Sequence, residues 1–253
     1  MAKTKIIIKN DKQIQGIRAA SKIAAQALDM ITPYVKEGIS SEELDHICNT
    51  FIMSLGGHSA CIGYHGYPKY TCISLNDTIC HGIPSKNEIL KPGDILNIDV
   101  TVIKDGYYGD TSRMYTVGEI SEQAKNLISI TKKALEIGIG QVRPGNFTGN
   151  IGYEIAKYVE AKGYGIVREY TGHGVGMDLH EEPYIYHKAP KNSGIIMEAG
   201  MIFTIEPMIN VGSHKTKILK DGWTVKTEDS KLSAQFEHTI LVTSDGFEIL
   251  TLA

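Results

Sequence analysis

Apolar residues at Ile14, Ile17, Ala20, Ala24, Leu28 and Ile31 recur at helical spacing. They predict a helix over Asp11–Ile31 that Pro33 ends. Ser40 followed by Glu43 is a capping box. It opens a second helix carrying Leu44, Ile47, Cys48, Phe51 and Leu55, closed by Gly56 and Gly57. The stretch 61–80 reads as loop-rich, with tyrosines at 64, 67 and 70. Over 96–114 the chain reads as a β-hairpin. Val100, Val102 and Ile103 are β-branched, Tyr107 and Tyr108 are aromatic, and Lys104-Asp105-Gly106 between them is turn chemistry. Ser121 is placed to cap a helix to about residue 137. Thr148 starts another, with Ile151, Ile155, Tyr158 and Val159 on one side and Gly163 after it. The remainder, 164–253, is β-like with several turns.

The hairpin carries one aspartate on each arm, Asp99 and Asp110. A two-residue turn at Asp105-Gly106 sets Lys104 opposite Tyr107 and Thr101 opposite Asp110, and makes Asp99 the diagonal neighbour of Asp110 on the same face. A four-residue loop would place the two acids directly opposite. A three-residue loop without a bulge would send them to opposite faces. Carboxylates side by side on a sheet repel, and one pKa rises unless a cation lies between them. Asp is also disfavoured in strands.

The pattern partly repeats. Val35-Lys36-Glu37-Gly38 resembles Val142-Arg143-Pro144-Gly145, and KPGDILNIDV at 91–100 resembles MEAGMIFTIEP at 197–207. Gly93 matches Gly200 and Asp99 matches Glu206, both 107 apart (200 − 93, 206 − 99). One offset for two segments indicates an internal duplication, whose halves would pack about a pseudo-twofold axis with a carboxylate from each near it.

At 253 residues, 42% hydrophobic and 22% charged, the chain is long enough for a buried core and has a globular composition. A net charge of -3 gives no global pull toward nucleic acid or anionic membrane. The four cysteines, Cys48, Cys61, Cys72 and Cys80, form no CxxC and read as reduced thiols in a cytoplasmic protein. MAKTKIIIKN has three consecutive apolar residues before Lys9, too few for a signal segment, and no run reaches membrane-spanning length.

Three more polar residues stand in apolar surroundings. His173 lies in GHGVG, Glu206 in a strand FTIE ending at Pro207, and Glu237 in a strand-like run over 235–242. Together with Asp99 and Asp110 they make four acids and an imidazole that need a common neutraliser. Two divalent cations supply it, four positive charges against four negative. Oxygen-rich ligation with one imidazole suits Mn, Fe or Co, with Zn also compatible. GHGVG is a poor dinucleotide motif, lacking the third-glycine spacing and a following helix.

NIDVTVIKDGYYGDTSRM, GHGVGMDLHEEP, FTIEPM and SAQFEHTIL together resemble the methionine aminopeptidases, in their type I, bacterial-like form. The likeness runs from about Lys12 to the C-terminus. It implies an α/β (α+β) pita-bread fold: one domain over 1–253, with two pseudo-symmetric halves of roughly 12–118 and 121–253 and an antiparallel sheet covered by helices. It also implies that Asp99, Asp110, His173, Glu206 and Glu237 bind two metal ions, with Asp110 and Glu237 bridging. The resemblance assigns His81 and His180 to the substrate, and a methionine pocket to Cys61, Tyr64, Tyr67, Cys72 and Trp223. Related enzymes often carry an aromatic residue just before the second of those histidines. Here Met177-Asp178-Leu179 stands there, and Leu179 would leave the wall aliphatic and roomier. The chain shows neither the long insertion of the type II form nor the zinc-binding extension of eukaryotic type I.

The implied reaction is hydrolysis of the first peptide bond of nascent proteins and peptides with a small second residue. A hydroxide bridging the metals attacks the carbonyl, and Glu206 serves as ligand and general base. His180 would donate to the carbonyl oxygen, and His81 would meet the leaving nitrogen. One alternative is an X-Pro peptidase of the same fold, although such enzymes usually carry an extra N-terminal domain. Another is a non-catalytic pita-bread protein, which loss of the metal ligands would mark. The enzyme is expected to act as a monomer. The stretch 214–220 reads as a basic loop, and its Lys215, Lys217 and Lys220 are a candidate contact for ribosomal RNA.

Overall fold

The computed structural model describes residues 6–253. Residues 1–5, part of the stretch read above for a signal segment, lie outside the described residues. Four helices form where the apolar spacing predicts them. Helix α1 (Asp11–Ile31) buries Ile17, Ala20, Ala24, Leu28 and Ile31 along one face. Its N-terminus holds a capping box that the sequence reading did not include: Asn10 accepts from the Gln13 amide, and the Gln13 side chain accepts from that of Asn10. Helix α2 (Ser41–Ser54) opens on the Ser40–Glu43 box and ends before Gly56, whose φ is +73°. Helix α3 (Glu122–Ile139) is capped by Ser121, which accepts from the Ala124 amide. Helix α4 (Thr148–Ala161) has no side-chain cap. Its first hydroxyl, on Thr148, instead accepts from the Ile195 amide, tying the helix to a distant loop.

The hairpin strands Ile95–Lys104 and Tyr107–Thr116 pair without a break from Ile95 opposite Thr116 to Lys104 opposite Tyr107. Asp105 (φ 51°) and Gly106 (φ 81°) are both left-handed, as a two-residue turn matched to strand twist requires. Of the registers considered, this one puts Thr101 opposite Asp110 and Asp99 opposite Ser112. Helix α1 lies across the hairpin so closely that a Cβ on Gly109 would sit 2.2 Å from the Ser21 amide nitrogen. Only glycine permits that approach.

On its other edge, Ile95–Lys104 pairs antiparallel with His58–Ser59 and Cys72–Leu75. The stretch 61–80, read as loop, therefore contains the strands Cys72–Leu75 and Thr78–Cys80. They are only four and three residues long and lack an alternating pattern, being buried throughout. The second half builds a five-stranded sheet in the order Phe247–Ile249, His238–Val242, Ile202–Ile205, Gly172–Gly174, Glu181–Ile185. Two three-stranded sheets complete the frame.

The apolar core sorts with the helices. One cluster, including Leu28, Leu44 and Ile98, lies among α1, α2 and the hairpin. Another, including Leu127, Ile155 and Phe203, lies among α3, α4 and second-half strands. Helices α2 and α4 are both 14 residues long, with bounds 107 apart (148 − 41, 161 − 54). The bridge between Ser40 and Ile89 recurs between Phe147 and Ile196 at the same offset (147 − 40, 196 − 89). The hydrogen bond from Gly38 N to Leu90 O likewise recurs from Gly145 N to Met197 O, 2.9 Å in both.

Candidate metal centre and substrate cavity

Two strand breaks aim the acids. The strand Ile202–Ile205 stops at Glu206 and Pro207, and the chain resumes as Met208–Asn210 in a different sheet. Glu237 does not lie inside a continuous strand, as expected for 235–242. It sits in a gap between Ser233–Gln235 and His238–Val242. The cause is a transfer of backbone pairing: Glu237 bonds the hairpin instead, its amide donating to Ser112 O at 3.1 Å. Thr111 donates to Glu237 O (2.7 Å), and Asn97 donates to Gln235 O (2.9 Å). Asp110 exchanges two backbone bonds with the Thr239 hydroxyl. These contacts bring the hairpin acids and the second-half acids to one place.

There, Asp110, His173 and Glu237 each present a ligand atom, and those atoms lie within 4.8 Å of one another. Asp99 and Glu206 line the same cavity. His173 Nε2 is 3.5 Å from Glu206 Oε1 and 3.7 Å from Asp110 Oδ2. The His173 Nδ1 lies 3.0 Å from Gly174 O. A carbonyl can only accept, so Nδ1 carries the proton and Nε2 offers its lone pair toward the acids. The carboxylates are oriented from behind. Thr101 donates to Asp110 Oδ1 (2.9 Å), Thr204 to Glu206 Oε1 (2.7 Å), and Gln235 to Glu206 Oε2 (3.1 Å).

Burial raises the pKa of Asp99, Asp110, Glu206 and Glu237, and the charge of Asp110 raises the other three further. Burial, followed by the neighbouring His180, pushes His173 down to about 3. Four carboxyls that resist ionising around a neutral imidazole fit a divalent cation. Its charge removes the cost of ionising them, and its coordination uses the free lone pair.

Every residue assigned to metal or substrate lines one cavity of about 240 Å³. Cys61, Tyr67 and Cys72 form an apolar cluster with Trp223 packed against it. The single Tyr67 O–H is shared between Thr71 O (3.0 Å) and Gly82 O (2.9 Å). The His81 ring meets Trp223 and Tyr170 edge-on at 6.1 and 5.5 Å. Its backbone is left-handed (φ 54°), a conformation costing a bulky residue about 1–2 kcal/mol. Burial lowers the His81 pKa to about 4. His180 stacks edge-on with His173, centroids 4.2 Å apart, and its Nδ1 is 2.6 Å from the Tyr64 hydroxyl. Leu179 is a buried wall residue. Sequence reasoning missed Thr101, Tyr170, Tyr184 and Met208, which also line the cavity. Of these, only Thr101 had a readable signal, its place opposite Asp110. The basic segment 214–220 lies apart from the cavity. It is not a plain loop: Thr216–Ile218 pairs with Val225–Thr227, and Lys215, Lys217 and Lys220 are exposed.

A cluster of buried carboxylates and an imidazole on a mixed frame of short antiparallel sheets and helices marks a candidate divalent-metal site. The chain belongs to metallopeptidase family M24, whose model matches residues 15–244. It is 52% identical over 248 residues to the methionine aminopeptidase of Escherichia coli (strain K12), covering 98% of this chain and 94% of that protein. The crystal structure of methionine aminopeptidase from Rickettsia prowazekii superposes with a TM-score of 0.96 at 50% identity, covering 98% of this chain and all of that one (100%). The methionine aminopeptidase structure from Thermotoga maritima gives 0.97 at 36% identity, with the same coverage of 98% and 100%. The fold is the pita-bread arrangement of this family.

Proposed function

We infer that this chain is a metal-dependent aminopeptidase that hydrolyses the first peptide bond of nascent proteins and releases N-terminal methionine. The observation that carries the reading is one juxtaposition. The Asp110, His173 and Glu237 ligand atoms converge within 4.8 Å beside a cavity walled by Cys61, Tyr67, Cys72 and Trp223. The apolar, thiol-lined wall suits an unbranched, polarizable side chain.

Asp99, Asp110, His173, Glu206 and Glu237 would hold two divalent cations, of Mn, Fe, Co or Zn. Bound there, the metals would acidify water and polarise the scissile carbonyl. Glu206, held by Thr204 and Gln235, is the base that accepts the water proton. His180 donates from Nε2 to the carbonyl oxygen as charge develops. The Tyr64 hydroxyl favours that tautomer by donating to Nδ1. His81, beside Trp223, meets the departing nitrogen as a hydrogen-bond donor, and that nitrogen takes up the proton that Glu206 accepted from water. Cys61, Tyr64, Tyr67, Cys72, Leu179 and Trp223 surround the methionine side chain.

The test is methionine release from Met-Ala-Ser and Met-Leu-Ser with each metal in turn, alongside Ala-Pro-Ser. Rapid release from Met-Ala-Ser alone is expected. Turnover of Ala-Pro-Ser in its place would establish an X-Pro peptidase. Stoichiometric metal without turnover of any peptide would establish a binding protein. Two ions per chain are expected by elemental analysis.

The same reading places the enzyme, as a monomer, in the cytoplasm. Four free, buried cysteines support a reducing compartment. Among the described residues no helix is long and apolar enough to cross a membrane. The exposed Lys215, Lys217 and Lys220 support contact with ribosomal RNA. Reversing their charges should weaken ribosome co-sedimentation and leave peptide hydrolysis intact; unchanged sedimentation rejects the contact.

A further inference from the structure

Leu179 and His180 reach the cavity from a short turn between the strands Gly172–Gly174 and Glu181–Ile185. One carboxylate organises that turn. Glu181 Oε1 accepts from the Met177 amide (2.5 Å) and from the Asp178 amide (2.9 Å). The other oxygen, Oε2, is 2.5 Å from the ammonium of Lys9. The two side chains are 1% and 5% exposed, so this is a desolvated pair joining positions 172 apart in sequence. Lys9 precedes α1 and lines no part of the cavity. Its own amide donates to Gly200 O, which fixes the segment against the second half. A surface lysine would gain little from such a pair. A buried one is retained against a desolvation cost, and removing either partner leaves the other charge stranded.

We propose that Lys9 is a positioning residue for the reaction: through Glu181 it sets the 177–180 turn and thereby aims His180 at the substrate carbonyl. This rests on the assignment of His180 as carbonyl donor. The ammonium holds Oε2, which leaves Oε1 fixed beneath the two turn amides. Without it the buried carboxylate seeks water or another donor, and the turn loses its anchor. The ring of His180 then sits imperfectly although its sequence is unchanged. Misplacement on the scale of an ångström is enough to slow chemistry about a hundredfold.

The test is a mutant cycle on the metal-loaded enzyme with Met-Ala-Ser as substrate. Lys9→Met should lower kcat by roughly ten- to a hundredfold with KM and metal content close to wild type. Lys9→Arg, which keeps the charge, should recover most of the loss. In a His180→Ala background, Lys9→Met should cost almost nothing more, because the residue through which it acts is gone. If Lys9→Met does not fold, Lys9→Gln takes its place in the same cycle: it loses the charge and keeps only a weaker neutral donor to Glu181, so the expected loss in kcat is smaller, about three- to tenfold. A multiplicative loss in the double variant overturns the proposal, as does a wild-type kcat in the single one. Failure of the wild-type enzyme to release methionine would instead overturn the functional reading.

Discussion

At the residue scale the site depends on which nitrogen of each histidine carries a proton. His173 is settled by Gly174 O, which can only accept and so leaves Nε2 unprotonated, its lone pair free. For His180 the partner is the Tyr64 hydroxyl at 2.6 Å, which can donate to Nδ1 and leave the proton on Nε2. His180→Ala, which removes the proposed carbonyl donor, should therefore lower kcat by about 10²–10³ with little change in KM, since such a donor acts in the transition state. Tyr64→Phe keeps the donor and loses only the bond that favours its tautomer. That bond is worth about 1 kcal/mol, so kcat should fall about five- to tenfold. Steady-state kinetics on both variants, with metal content measured, check the pair. An equal loss in the two would mean that Tyr64 acts on the substrate itself.

At the scale of elements, much was legible because the signals are local. The 3.6-residue spacing of Ile17, Ala24, Leu28 and Ile31, the Ser40–Glu43 box and the Asp105-Gly106 turn each lie within a few residues of what they determine. The strand break at Glu237 was not legible, because its amide bonds Ser112, 125 positions earlier (237 − 112). The buried Lys9–Glu181 pair was hidden for the same reason. So was Asp45, which reads as an ordinary polar position of α2 but is fully buried. Its Oδ1 accepts from the amides of Tyr70 and Thr71 and from the Thr71 hydroxyl, pinning the entry to Cys72–Leu75. Its Oδ2 has no partner. Burial raises the Asp45 pKa above 3.8, against the lowering effect of the Thr71 bonds. The folded state then binds more protons than the unfolded one. The stability it contributes is full below the unfolded value and is lost as pH rises through the folded one. Urea melts of wild type and Asp45→Asn, both metal-free, should show the wild type losing stability relative to the variant as pH rises from about 4. A pH-independent difference would refute the raised value.

At the scale of the molecule, the candidate ligands come from both sides of a seam. Asp99 and Asp110 belong to the hairpin; His173, Glu206 and Glu237 belong to strands and breaks of the second part. We propose that the two parts are related halves of one domain, a reading supported by the paired helices, bridges and hydrogen bonds at the 107-residue offset. Across the seam run the bonds of Asn97 and Thr111 and the Asp110–Thr239 exchange. A metal bound at this position would act as a further cross-link between the halves and relieve the crowding of buried acids. Because it binds the folded chain and not the unfolded one, metal at a hundredfold excess over its Kd should add about 2.7 kcal/mol. For a chain of this length each kcal/mol moves Tm by about 2–4 °C, so stripping the metal should lower Tm by about 5–11 °C. Calorimetry before and after chelation measures the shift, and readdition of metal should restore it. In Asp110→Asn, which removes one charge of the candidate ligand cluster, the shift should shrink sharply. An unchanged Tm on complete removal of metal would show that the seam is held by its hydrogen bonds alone.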